Sequence, residues 1–251
     1  MSTDIERFQN ACENGDLENV TKLFDDVNDN MNMLEMRNSA TKNGHLNILQ
    51  FLHKKGVDIN ELYCADNPLM IAAARGWVDI VDYLLLQPEI DINLQTYDYG
   101  WTALMFAVFH SKTDVVDRLL QNENCQINSE KYDGNTAIFL ATQSGVLEIV
   151  DKLIINGSNI WHVNKYGKTL LHCAAISRNL KVLERVLSLG LDVNQQDYNG
   201  WTPLMYSVFY NNNKIVEILL EHGADTTIRD NGGKIAIDCA ENEEIKNLLR
   251  K

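Results

Sequence analysis

Histidine and cysteine are the side chains of this sequence best suited to acid–base, metal or nucleophilic chemistry, and their spacing argues against all three. The six histidines stand at 45, 53, 110, 162, 172 and 222, dispersed along the chain. No H-E-x-x-H, C-x-x-C or G-x-S-x-G pattern occurs, nor a glycine-rich phosphate loop or dinucleotide fingerprint. Glu243 and Glu244 read as a solvated terminal charge pair. The five cysteines are odd in number and scattered, so no disulfide framework is expected. Cys173 and Cys239 each follow an apolar residue by three, Leu170 and Ala236, and read as small buried side chains in a reducing compartment. The expectation is no catalytic residue, no metal and no cofactor. What remains is non-covalent recognition, for which Tyr and Trp are the residue types most enriched at binding hot spots.

The elements that would position such residues are clearest at 198–227, YNGWTPLMYSVFYNNNKIVEILLEHGADTT. Gly200 permits a turn at φ > 0, Thr202 can cap a helix through its hydroxyl, and Pro203 occupies the first helical position, where a missing N–H costs nothing. The spacing predicts an inner helix to about Tyr210, a polar break at Asn211–Asn213, and an outer helix with Ile215, Val216, Leu219 and Leu220 on one face. Gly223 then closes it. Neither helix can bury its apolar stripe alone, so the unit must stack on copies of itself. Aligning on the capping residue gives Asn67, Thr102, Thr136, Thr169, Thr202 and Ile235, with gaps of 35, 34, 33, 33 and 33.

At NPLMIAAARG (67–76), TALMFAV (102–108), TAIFLATQSG (136–145), TLLHCAA (169–175) and TPLMYSV (202–208) the chain resembles the ankyrin repeat family, whose signature is a 33-residue turn and helix pair with a T-P-L-H-x-A core. The resemblance covers nearly the whole chain. It implies an all-α repeat solenoid of stacked helix-turn-helix units with short β-hairpin fingers, forming a single domain over 1–251. The repeats fall at about 1–30, 31–63, 64–96, 97–130, 131–163, 164–196, 197–229 and 230–251. The first and last read as caps: Glu6 and Arg7 replace Thr-Pro in one, and GGKIAIDCAENEEIKNLLRK loses Thr and Pro in the other. In the second repeat Arg37, Asn38 and Lys42 replace small or apolar residues. That repeat is expected either to be less stable or to present those side chains to a partner. The third has Ala65 at the finger glycine and Pro88-Glu89 at the capping glycine.

The resemblance also implies where binding occurs. Members of the family grip protein partners in a concave groove lined by fingers and inner helices, and His172 takes the TPLH position that hydrogen-bonds within its turn. Carried over position by position, the exposed places are Asp98, Tyr99, Trp101, Phe109 and His110 in the fourth repeat, and Tyr198, Asn199, Trp201, Phe209 and Tyr210 in the seventh. Tyr132 and Tyr166 stand on the intervening fingers. Helical geometry agrees, since Phe109 lies about 140° around from Leu104. The alternative is that Trp101 and Trp201 lie flat on neighbouring fingers while Met105 and Met205 pack against Phe109 and Phe209 and shield the stack.

The formal charge of −13 disfavours nucleic acid, whose phosphates require Lys and Arg. Residues 1–131 carry 10 Lys and Arg against 21 Asp and Glu, an imbalance expected to favour a basic protein partner; the competing reading is that acidity keeps a long surface soluble. No leader and no apolar run near 18 residues is seen, so a soluble monomer of the cytoplasm or nucleus is expected, without membrane contact. The function expected is a non-enzymatic protein-interaction module. Its alternative is a dedicated regulatory or assembly factor, an inhibitor or chaperone-like subunit of a larger enzyme complex.

Overall fold

The computed structural model describes residues 4–27 and 30–250, with the side chains of 30–32 left aside. The chain divides into two compact units, residues 1–129 and 130–251. In the first unit four inner helices, α1 (Asp4–Asn14), α3 (Asn30–Lys42), α5 (Pro68–Arg75) and α7 (Ala103–Phe109), pack one on the next. Behind them lie α2 (Leu17–Leu23), α4 (Leu46–Lys54), α6 (Val78–Leu85) and α8 (Thr113–Leu120). In the second unit the inner row is α9 (Ala137–Ser144), α11 (Leu170–Ile176), α13 (Pro203–Phe209) and a 3-10 turn at Ala236–Cys239. Its outer row is α10 (Leu147–Ile155), α12 (Leu180–Leu187), α14 (Asn213–Glu221) and α15 (Glu243–Leu249).

The local causes are those the sequence suggests. The Thr102 and Thr202 hydroxyls each accept the N–H three residues on at 3.3 Å, and the Asn67 amide oxygen accepts from Met70 N–H at 2.9 Å. Pro68 and Pro203 sit in the first turns they open. Each outer helix from α4 to α14 then buries a triplet at i, i+1, i+4, for example Ile48, Leu49, Leu52 in one unit and Ile215, Val216, Leu219 in the other, all at 0% exposure. At about 25 cal/mol per Å² such side chains each stabilise the stack by roughly 2 kcal/mol, but only once a neighbouring pair covers them. A left-handed residue closes each inner helix from α1 to α13; Ser111, Arg178 and Asn211 adopt φ of 56–59° where the other repeats use glycine.

Two expectations are corrected. The fingers are tight turns and not β-hairpins: among the described residues no strand forms, and one isolated bridge joins Tyr63 to Asp66. In the second repeat Arg37 and Asn38 are not offered to a partner, because both are buried. The Arg37 guanidinium donates to the carbonyl oxygens of Asp58 and Glu61 and to Asn38 Oδ1, while the Asn38 amide donates to Tyr63 O and Asp66 O at 3.3 and 3.0 Å. Together they clamp the loop 58–66 from behind. That loop needs a clamp, since Cys64 and Ala65 both hold positive φ without glycine. Burial lowers the Arg37 pKa to about 10, still charged at neutral pH.

Arg37→Met is therefore expected to leave two loop carbonyls without donors and to destabilise the first unit by about 2–4 kcal/mol. Hydrogen exchange would show it as a joint loss of protection across the amides of 58–66; unchanged exchange there would mean that the clamp does not hold the loop.

Candidate functional site

In the first unit the fourth finger places Trp101 over its own inner helix. Trp101 donates its backbone N–H to Thr96 Oγ1 at 3.0 Å and accepts Thr96 N–H at 2.9 Å, which closes the turn. Its half-buried ring packs 5.2 Å from Phe106 and edge-on 5.3 Å from Phe109, and Phe109 meets His110 at 5.2 Å. Phe109 remains 53% exposed, as do His110 and the fingertip Tyr99. The Thr96 hydroxyl and Tyr99 N–H hold the Asp98 carboxyl below its ordinary range, fixing an anion beside the fingertip. Met105 is buried beneath.

The seventh repeat, in the second unit, builds the same cluster with a different hinge. Asp197 replaces the threonine: its Oδ1 accepts from Asn199 and Trp201 N–H, both at 2.9 Å, and its Oδ2 accepts from Tyr206 O–H at 2.8 Å. Trp201 lies 5.0 Å from Tyr206 and 5.5 Å from Phe209, which in turn meets Tyr210 at 5.3 Å. Phe209 is 59% exposed, and Tyr210 lies at the edge. Below them His172 Nδ1 accepts Thr169 N–H at 3.0 Å and its Nε2 faces Trp201 O at 3.1 Å, so one buried imidazole ties two repeats together. Both tryptophans thus lean on their own inner helix and leave the Phe edge uncovered.

The second unit also joins its fingertips into a ladder. Lys165 N–H donates to Asp133 O, Tyr198 N–H to Tyr166 O and Asn231 N–H to Asn199 O, at 3.0–3.1 Å. Tyr132, Tyr166 and Tyr198 stand exposed along this edge, Tyr198 at 70%. The approach is close enough to demand glycine: a Cβ on Gly167, at φ 79°, would lie 2.6 Å from Tyr198 N and 2.5 Å from its ring.

A feature not foreseen is an open cavity of about 960 Å³ within the first unit, on the inner-helix face. Of the residues of the two aromatic patches His110 lines it, with Lys112 of its own repeat; Lys42, already offered to a partner by the sequence, and Arg75 join from the second and third repeats, with Glu35 and Asp66 nearer the fingers. The signal was available. The rule that names Phe109 and His110, two residues near the end of the inner helix, names Lys42 and Arg75 when applied to repeats two and three. Trp77 and Trp161, both exposed, were also missed, because they lie outside those positions.

Burial pushes the thiols of Cys12 and Cys173 up to about 12 and that of Cys125 to about 11, so none is a ready nucleophile. Among the described residues no group of three His, Cys, Asp or Glu could hold a metal ion, and no helix is long and apolar enough to cross a membrane.

A family model described as ankyrin repeats (3 copies) matches residues 8–96, 38–130, 90–162 and 138–230. No curated protein matches the chain significantly. Among solved structures, the ankyrin repeat domain of Bcl-3, described as a unique member of the IkappaB protein family, aligns with a TM-score of 0.69 at 21% identity. That alignment covers 86% of this chain and 97% of the other.

Two outcomes follow for the second unit. Burial pushes the His172 imidazole down to about 4, against about 6.5 when unfolded, so its stabilising effect is complete above pH 6.5 and declines as pH falls toward 4. Between pH 6.5 and 5 the second unit is expected to lose roughly 2 kcal/mol that a His172→Asn variant does not lose, read by urea unfolding or by amide exchange in α11 and α13. Gly167→Ala is expected to cost about 2 kcal/mol or more through the forced left-handed backbone and the collision with Tyr198, seen as lost protection of the Tyr198 amide.

Proposed function

Because the chain belongs to the ankyrin repeat family, we propose that it is a non-enzymatic interaction module that binds a partner protein on its finger and inner-helix surfaces. The supporting observation is the pair of aromatic clusters of the fourth and seventh repeats. Each combines a half-buried Trp that fixes the geometry with a Phe more than half exposed at the rim, Phe109 or Phe209. Rigid, partly exposed aromatics are the anchors that interfaces favour, since little side-chain entropy is left to lose on binding. Covering one such ring removes on the order of 150 Å² of surface, at most ~4 kcal/mol before ordering costs. The Tyr132, Tyr166 and Tyr198 edge adds a second row on a backbone ladder that is already stiff.

The Trp201→Ala, Tyr210→Ala double variant tests this. Both residues lie away from the buried triplets, so helix content and cooperative unfolding should be kept, at a melting temperature lowered by the lost Trp201 packing, while capture of a partner from native lysate at a temperature well below that transition falls at least tenfold. A dedicated factor should bring down one dominant complex and an adaptor a mixed set. Undiminished capture by the variant would assign these rings to shielding the stack.

A further inference from the structure

The first unit holds nine Lys and Arg against 20 Asp and Glu. With acid in that excess a cation readily finds an internal counterion, and four do: Arg7 with Asp4, Lys22 with Glu18, Lys55 with Asp25 and Arg118 with Asp82. Arg37 is buried on backbone carbonyls. Of the four that remain, Lys54 ends the outer helix α4, while Lys42, Arg75 and Lys112 all line the cavity. None of these three forms an ion pair among the described residues.

Their placement is built into the fold. Lys42 and Arg75 end the inner helices α3 and α5, and Lys112 precedes α8 with its stem laid across the preceding joint, its Cδ 3.0 Å from where a Gly76 Cβ would stand. Burial, together with Lys112 and Arg75, holds the His110 imidazole below its ordinary range, as a locally positive site requires. Glu35 lies seven residues before Lys42 on α3, about 10 Å along the axis at 1.5 Å per residue, and Asp66 precedes the start of α5, which Arg75 ends, so acid stands at the finger end of the cavity and base at the other. Ile71, Ala74 and Phe106 form the apolar floor between them.

We propose that this cavity binds an acidic segment of a partner protein, with Asp or Glu side chains on the Lys42–Arg75–Lys112 row and an apolar side chain on the Ile71–Phe106 floor. The inference deepens the reading of the chain as an interaction module and rests on it. The opposite row decides the class of macromolecule. A nucleic acid carries phosphate at every residue and would press anions against Glu35 and Asp66 in a unit of net charge −11, whereas a peptide can put acid on one edge and neutral or basic groups on the other. The acidic surroundings then suit a partner that is basic beyond this segment.

The test is selection of a random 12-residue peptide display library on the full chain, followed by anisotropy titration of the enriched peptides. Enriched sequences are expected to be rich in Asp and Glu. Affinity should fall at least tenfold in Arg75→Glu and in Lys42→Glu, hold within about threefold in Arg75→Lys, stay unchanged in Trp201→Ala, Tyr210→Ala, and weaken steeply between 50 and 500 mM salt, as exposed ion pairs do. Both reversed residues are exposed, and an unchanged melting transition confirms that the variants fold. Enrichment without acidic residues, no enrichment at all, indifference to Arg75→Glu, or tighter binding of a 12-nucleotide single strand would each overturn the proposal. If the peptides fail while lysate capture still depends on Trp201 and Tyr210, only this inference falls and the interaction module stands.

Discussion

Every helix pair in this protein ends with an apolar face that it cannot cover itself. The triplets Ile80, Val81, Leu84 and Val182, Leu183, Val186 are wholly buried, yet each sits on a helix of eight residues, too short to be stable in water alone. Stability is therefore a property of neighbouring repeats. The polar contacts follow the same logic. Asn60, Asn93 and Asn194 each use both ends of the amide to hold the backbone of the next repeat, accepting from Asp91, Gln126 and Asp225 N–H at 2.8 Å. They donate in turn to the carbonyl oxygens of Glu89, Asn124 and Gly223. A two-point grip of this kind sets the register between repeats as well as their separation, which apolar burial alone cannot do.

Because the packed faces of the inner and outer helices carry the stack, the finger rims and the ends of the inner helices are left free of that duty. The aromatic clusters show how far the release goes. Trp101 and Trp201 retain a structural role, bridging a finger to its helix, while Phe109 and Phe209 stand in contact with them but open to solvent. The cations of the first unit divide in the same manner between those paired with acids and those left facing a cavity. A surface of this kind can change its residues without changing its fold, which is why a shared architecture leaves the choice of partner to the rim.

The repeat register, the helix starts and the buried triplets were legible because each depends on residues within one turn of one another. Thr102 finds its own N3 amide, and Pro203 its own first turn, whatever lies elsewhere. Arg37 was misread for the opposite reason. Its acceptors lie 21 and 24 residues downstream, and a charged residue on an inner helix looks solvent-facing until the loop that covers it is known. The fingers were expected as hairpins, but in the second unit one backbone bond runs from each finger to the next and side chains supply the other links, too sparse a ladder to make a strand. The cavity escaped notice because its residues come from several repeats, of which only the polar second one stands out in the sequence.

The clamp and the cavity are two sides of one irregularity. Where the third finger lacks its glycine, the second repeat supplies Arg37 and Asn38 to hold the turn from within, and α3 consequently carries polar side chains where the fourth and seventh repeats carry Leu104, Met105, Phe109 and Leu204, Met205, Phe209. Glu35 and Lys42 flank that clamp on the same helix, at the two ends of the cavity. A repeat that departs from its neighbours to rescue a strained turn thereby also presents them with separated charges. The departure that looks most like decay in the sequence is, in the fold, what makes the first unit's surface distinct from the second's.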